Sequence, residues 1–246
     1  MAKKKEWFKR GKEGEQRTEQ IQQEAAKGGS SRFWLKPDNS TKITLLDTDG
    51  FYFYEHNLFL NGRWNNFFTC LQDFDNCPLC EAGHKPYYAC AFTIVDHSEY
   101  ESKAQGKRVK NQRKLLVMKK RALEKLKRRR DSEKLGGDLT YAVFEVARNS
   151  SDESNTGEDF DFLKRLDKKT LAKLAPKELK TKEEINDWMQ SFDYLEIFEP
   201  KPAEVLQRIA GTASPVGSDA DSSSRGSTGG TGEEASASDD DLEKYL

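Results

Sequence analysis

Between residues 33 and 166, apolar and polar positions alternate in short runs broken by turn residues, the two-residue period of strands. Asp49-Gly50 separates Lys42–Asp47 from Phe51–Leu60, and Asn61-Gly62 separates the latter from Arg63–Leu71. Both dipeptides accept the positive φ that tight hairpins need, so the pattern predicts a three-strand meander. A further strand follows at Tyr88–Asp96, and Gly106 turns it into a partner at Arg108–Met118. Lys119–Lys134 reads as a helix that faces Leu123 and Leu126 inward and is stopped by Gly136-Gly137. Leu139–Arg148 is a strand with apolar residues on both sides, and Phe160–Leu166 is a short strand or turn after the acidic Ser150–Asp159 loop.

Further on, the period lengthens. Thr181 and Glu184 make a capping box ahead of Ile185, Trp188, Met189 and Phe192, and Pro202 opens a second helix through Val205, Leu206 and Ile209. Strands, a helix and strands again is the layout of a five-stranded oligonucleotide-binding (OB) barrel, with the late helices as its lid or buttress. The expected fold class is therefore mainly β: an OB-like barrel with a zinc-binding insertion, flanking helices and a disordered acidic C-terminal tail. Both ends lose the pattern. Residues 1–30 read as a flexible basic arm, with Trp7 and Phe8 set among Lys3, Lys4, Lys5, Lys9 and Arg10. Residues 211–246 hold 14 Gly+Ser and eight acids against two bases, too little apolar surface to offset the entropy of ordering. This tail ends Asp239-Asp240-Asp241-Leu242-Glu243-Lys244-Tyr245-Leu246, the pattern of a docking peptide. The DNA-binding domain is placed at 31–210, with a zinc subdomain at about 56–90 and a helical buttress at about 167–210.

The formal net charge is −1, yet residues 1–130 carry a net of +11 and residues 131–246 a net of −12. No apolar run approaches the roughly 18 residues of a membrane span, and no apolar stretch follows the basic start, so a cytoplasmic location is expected. Lys103 to Arg130 holds 14 Lys+Arg and one acid, Glu124, a density that repels itself unless a polyanion accompanies it. Phosphates fit, and they confer affinity without sequence preference. Residues 33–100 contain 15 of the 26 aromatics, and Phe51-Tyr-Phe-Tyr54 is aromatic on both strand faces. One core face cannot use them all, and leftover rings stack on unpaired bases. The candidate DNA-binding residues are Arg32, Trp34, Lys42, Tyr52, Tyr54, Arg63, Trp64, Phe67, Lys107, Arg108, Lys110, Arg113 and Lys114, expected to share one groove.

All four cysteines lie between Cys70 and Cys90, and Cys70-x6-Cys77-x2-Cys80 supplies three thiolates for a tetrahedral zinc site. His56, His84 and Cys90 compete as the fourth ligand. Against His56 stands the hairpin: a strict two-residue turn at Asn61-Gly62 sets it opposite Phe67, leaving Cys70 on the other face. A bulge or an early strand end near Phe68 would remove that objection. No base stands poised beside an open metal position, so the zinc expected here is structural.

Five segments together resemble the single-stranded DNA-binding (helix-destabilising) proteins of tailed bacteriophages. They are Phe51-Tyr-Phe-Tyr-Glu-His56, Trp64-Asn-Asn-Phe-Phe-Thr-Cys70, Cys77-Pro-Leu-Cys-Glu-Ala-Gly83, Pro86-Tyr-Tyr88 and Phe92-Thr-Ile-Val-Asp-His97. The resemblance covers about residues 31–165 and implies an OB-type core binding single-stranded DNA in phage replication and recombination, in the cytoplasm of the infected bacterial host. It implies no enzymatic activity, a tail that contacts replisome or recombination proteins, and one histidine with three cysteines on zinc, which favours His56, Cys70, Cys77 and Cys80. Two other classes compete: an HNH-type nuclease built on the knuckle with Asp96-His97 and Asn111, and a zinc-containing RNA-binding or transcription-regulating protein.

Overall fold

The computed structural model describes residues 32–60, 62–102 and 106–213. The basic arm with Trp7 and Phe8, and the tail from Ser214 through Asp239, Asp240, Asp241, Leu242, Tyr245 and Leu246, lie outside the described residues. Seven strands form one antiparallel sheet: β1 (Asn39–Leu45), β2 (Phe51–Leu60), β3 (Arg63–Thr69), β4 (Tyr87–Ser102), β5 (Lys107–Lys119), β6 (Ala142–Arg148) and β7 (Asp159–Arg165). Among the described residues six helices accompany them: α1 (Pro78–Glu81), α2 (Lys120–Arg130), α3 (Lys168–Ala172), α4 (Lys182–Trp188), α5 (Tyr194–Ile197) and α6 (Ala203–Thr212). None is long and apolar enough to cross a membrane.

The sheet forks at β4. One edge of β4 pairs with β5 along most of its length; the other takes β2 over Tyr87–Ala91 and β1 over Ile94–Asp96. The predicted meander is therefore corrected at its first step, because β1 and β2 are not neighbours but follow one another along the same edge. Five residues, 46–50, stand where β4 has two, so the chain bows out and re-enters instead of turning back. Two features fix the bow. Gly50 passes so close to β4 that an added Cβ would lie 2.1 Å from Cys90 Sγ. The Asp47 carboxylate accepts the Thr93 N–H and hydrogen-bonds the hydroxyls of Ser191 and Tyr194, filling the interrupted ladder with a side chain. Burial raises the Asp47 pKa against those hydrogen bonds.

From the fork, β1 leads to β6 and β7, while β2 leads to β3. The sheet is open, and its β1, β4, β5, β6 and β7 strands contribute to a core of Phe33, Ile43, Leu45, Phe92, Ile94, Leu116, Met118, Phe144, Val146 and Phe160. Helix α2 closes this core with Leu123 and Leu126, ending at Arg130, before the predicted Lys134. The Phe33 N–H donates to the Leu115 carbonyl and the Leu35 N–H to that of Asn155, each 2.7 Å, so residues 33–35 bridge β5 to the β6–β7 loop. The capping box forms as predicted at α4, whose Trp188 and Met189 pack with Val95 and Val143 on the outer sheet face. Phe198, after α5, covers Phe53, Ala89 and Ala91. Pro202 is the N-cap of α6, which runs on to Thr212, two residues past the expected domain boundary.

Candidate metal centre and nucleic-acid interface

His56, Cys70, Cys77 and Cys80 converge, their ligand atoms all within 4.8 Å of one another. The hairpin explains how. In β2–β3 the register shifts between Leu58 and Leu60, where β3 carries one residue more than β2, so His56 faces Phe68. That extra residue is the bulge the histidine needs: with it, Cys70 follows opposite Tyr54, its N–H donating to the Tyr54 carbonyl at 2.8 Å, on the same face as His56. The other two thiols come from the knuckle, Cys77 as N-cap of α1 and Cys80 within it.

Cys70 Sγ lies 3.5 Å from Cys80 Sγ, and His56 Nε2 lies 3.4 and 3.7 Å from the sulfurs of Cys77 and Cys80. A tetrahedral zinc with ordinary bonds spaces sulfur pairs by about 3.8 Å and sulfur–nitrogen pairs by about 3.6 Å. The four residues fit such an ion. Burial, with some help from His84, lowers the His56 pKa to about 4, so its ring stays neutral. Burial raises the thiols of Cys70 and Cys80; at Cys77 it is outweighed by the backbone donors of Leu71, Cys80 and Leu79, and the pKa falls. A divalent cation would offset the repulsion among three thiolates. Leu58, Phe68, Leu71, Leu79 and, from α6, Leu206 enclose the cluster. The two competing ligands stand apart from it. Cys90 is a fully buried core thiol whose pKa burial pushes up to about 12, and His84 is buried after α1 without joining the four.

Strand alternation divides the predicted binding residues between two faces. Tyr52 and Tyr54 share the metal's face and meet Tyr88, with centroids 5.9 and 4.9 Å away, while Lys127 Nζ stands 5.1 Å over the Tyr52 ring. Phe67 pairs with Asn57 and so points the other way, under the Arg32 guanidinium at 3.7 Å and beside Trp34 at 6.4 Å. Trp64 meets Phe59 at 5.4 Å. Trp34 is 41% exposed, Trp64 47% and Tyr88 50%. One shared groove is not what the strands build: there are two aromatic surfaces, back to back.

The cations are also distributed differently from the expectation. Arg32 is held by the buried Glu55 carboxylate, which also accepts from Tyr87 Oη. Lys114 pairs with Asp96 at 2.8 Å, and Arg113 donates to the carbonyls of Asp187 and Gln190 over the Phe192 ring. Arg121 and Lys125 share the buried Glu158, Arg129 takes Asp161, and Arg130 takes Asp131. The polyanion that offsets this basic stretch is thus partly the protein's own acidic half, from positions too distant in sequence to register as partners. Arg108 reaches exposed Glu99 only at 3.6 Å, and Lys42 and Lys110 point to solvent. Arg63 and Lys107 open β3 and β5. The predicted binding residues left out Tyr88 and Lys127, though both stand in segments singled out in the sequence, and Lys119, whose Nζ stands 4.4 Å over the Tyr87 ring.

Asp96 and His97, the pair behind the nuclease alternative, are similarly engaged. The His97 ring nitrogens meet Thr44 Oγ1 at 2.7 Å and Asn111 Oδ1 at 2.8 Å. Asn111 adopts φ +56° to make that bond and donates onward to the Leu174 carbonyl. No family model matches the chain, and no curated protein matches it in sequence.

Proposed function

We propose that this protein binds single-stranded DNA without enzymatic activity, through an OB-type barrel and a structural zinc lobe. One observation carries the reading: exposed rings stand beside cations on both sides of the β2–β3 hairpin, Trp34 with Phe67 and Arg32, and Tyr52 with Tyr88 and Lys127. Duplex DNA hides its base faces, so such rings reward only melted strands, at about 1–3 kcal/mol per stacked base. Lysines and arginines add phosphate neutralisation. The strand order with α2 between β5 and β6, its Leu123 and Leu126 in the core, supports the OB assignment. Zinc, when bound, supplies a cross-link between the hairpin and the knuckle, against which α6 packs Leu206. The closed donor set and the engaged Asp96 and His97 support a binder over a nuclease.

In this reading the protein coats single strands during replication and recombination of a bacteriophage in the host cytoplasm, and its acidic tail docks replisome or recombination partners. Fluorescence anisotropy of labelled oligo-dT, the matching duplex and oligo-U, each titrated at two salt concentrations, tests it. Single-stranded DNA binds tightest, with affinity falling as salt rises. Preference for duplex overturns the reading, and preference for oligo-U replaces it with RNA binding.

A further inference from the structure

A cleft of about 500 Å³ lies beside Trp34, within the range of small-ligand sites. Its lining is chemically mixed. Arg32, Trp34, Phe67, Lys119 and Arg121 line it together with the 151–156 segment of the β6–β7 loop, including Asp152 and Glu153, and with the buried Glu158 that pairs with Arg121. Glu153 is occupied, accepting the Asn149 N–H at 2.7 Å, whereas Asp152 is exposed and has no hydrogen-bond or ion-pair partner among the described residues. Residues 33–35 tie β5 to that loop through the bonds to Leu115 and Asn155, and Trp34 stands on this tie.

Acids that share a cleft with an aromatic and cations make a poor site for an acidic peptide, and they would repel a continuous phosphate track. They suit one nucleotide that turns its base inward. We infer that the cleft seats a single guanine nucleotide of the bound strand. Its base lies against Trp34, its N1–H and N2–H donate to the two Asp152 oxygens, and its phosphate meets Lys119 and Arg121. Guanine alone among the DNA bases presents two adjacent donors on its Watson–Crick edge, the complement of a carboxylate. Thymine presents one donor between two carbonyls, which the carboxylate repels. The inference rests on the proposed single-strand binding and adds a base preference at one position.

The test uses the full chain and a labelled dT oligomer with its central residue replaced by guanine, by inosine (hypoxanthine base, lacking the N2 amine) or left as thymine. Guanine tightens binding about five- to tenfold over thymine, and inosine gives back most of that gain. Asp152→Ala removes the preference, and it tightens rather than weakens binding of the all-thymine oligomer because the repelling carboxylate is gone. Equal affinity for all three oligomers overturns the guanine site and leaves single-strand binding standing. Failure to bind any of them overturns the proposed function itself.

Discussion

The two halves of the forked sheet are held together by different means. The β1–β6–β7 half encloses a continuous apolar core that includes Phe33, Ile43, Phe144 and Phe160. The β2–β3 half has a smaller cluster, Leu58, Phe68, Leu71, Leu79 and Leu206, wrapped around four polar ligands. A core that small offsets little of the entropy of ordering a lobe, and an ion held by the four ligands would add to its stability. The consequence reaches the interface, because Phe67, Trp64, Tyr52 and Tyr54 stand on β2 and β3. Of the rings proposed to stack on unpaired bases, Tyr52, Tyr54, Trp64 and Phe67 therefore stand on the half that holds the candidate metal site, while Trp34 does not.

Removing metal separates the halves most sharply. Structural zinc contributes about 10–16 kcal/mol in finger peptides, so a strong chelator, or Cys77→Ser, is expected to unfold the lobe. Hydrogen exchange read by mass spectrometry should then show protection lost across β3, α1 and α6 and kept across β5 and β6. Protection lost in both halves together would erase the distinction. Next in size is Phe144→Ala, a cavity in the apolar core expected to cost about 3–5 kcal/mol in urea unfolding, with metal content unchanged in the folded fraction.

The junction between the halves comes third. Gly50→Ala forces a Cβ against Cys90 Sγ and is expected to cost about 1–3 kcal/mol. Adding Cys90→Ala should recover part of it, a non-additivity that a double-mutant cycle in urea would measure. Asp47 makes the same junction sensitive to pH. Its pKa lies above 3.8 in the folded chain, so folding takes up a proton there. That contribution is complete below 3.8 and is lost as pH rises through the raised value, so Asp47→Asn should flatten this part of the stability–pH curve. The smallest effect expected is at Arg108–Glu99, an exposed pair at 3.6 Å on the β4–β5 hairpin: Arg108→Ala should change stability by less than about 0.5 kcal/mol.

Local features were legible in the sequence and distant ones were not. Gly106, with φ +60°, turns β4 into β5 as its position predicted, and Thr181 with Glu184 closes the capping box. Both depend on residues within a few positions of one another. Asp49-Gly50 misled because the dipeptide reads as a hairpin turn, whereas the proximity of Cys90, 40 residues on, makes it a bow in a continuing edge. The β3 bulge that brings His56 to Cys70 left no mark in composition, although the convergence of His56 with three cysteines shows why it is needed. The basic run from Lys103 to Arg130 was visible as charge, yet its partners Glu158, Asp161 and Asp187 come from segments folded back from 32 to 74 positions away.

Tryptophan fluorescence tests the central claim most directly, because Trp34 and Trp64 are exposed and Trp188 is buried. Titrating the metal-loaded protein with oligo-dT should quench emission saturably, and Trp34→Phe should remove a large part of that quenching while the matched duplex gives little. Emission unchanged by oligo-dT, or quenched equally by duplex, would contradict a surface built to stack unpaired bases.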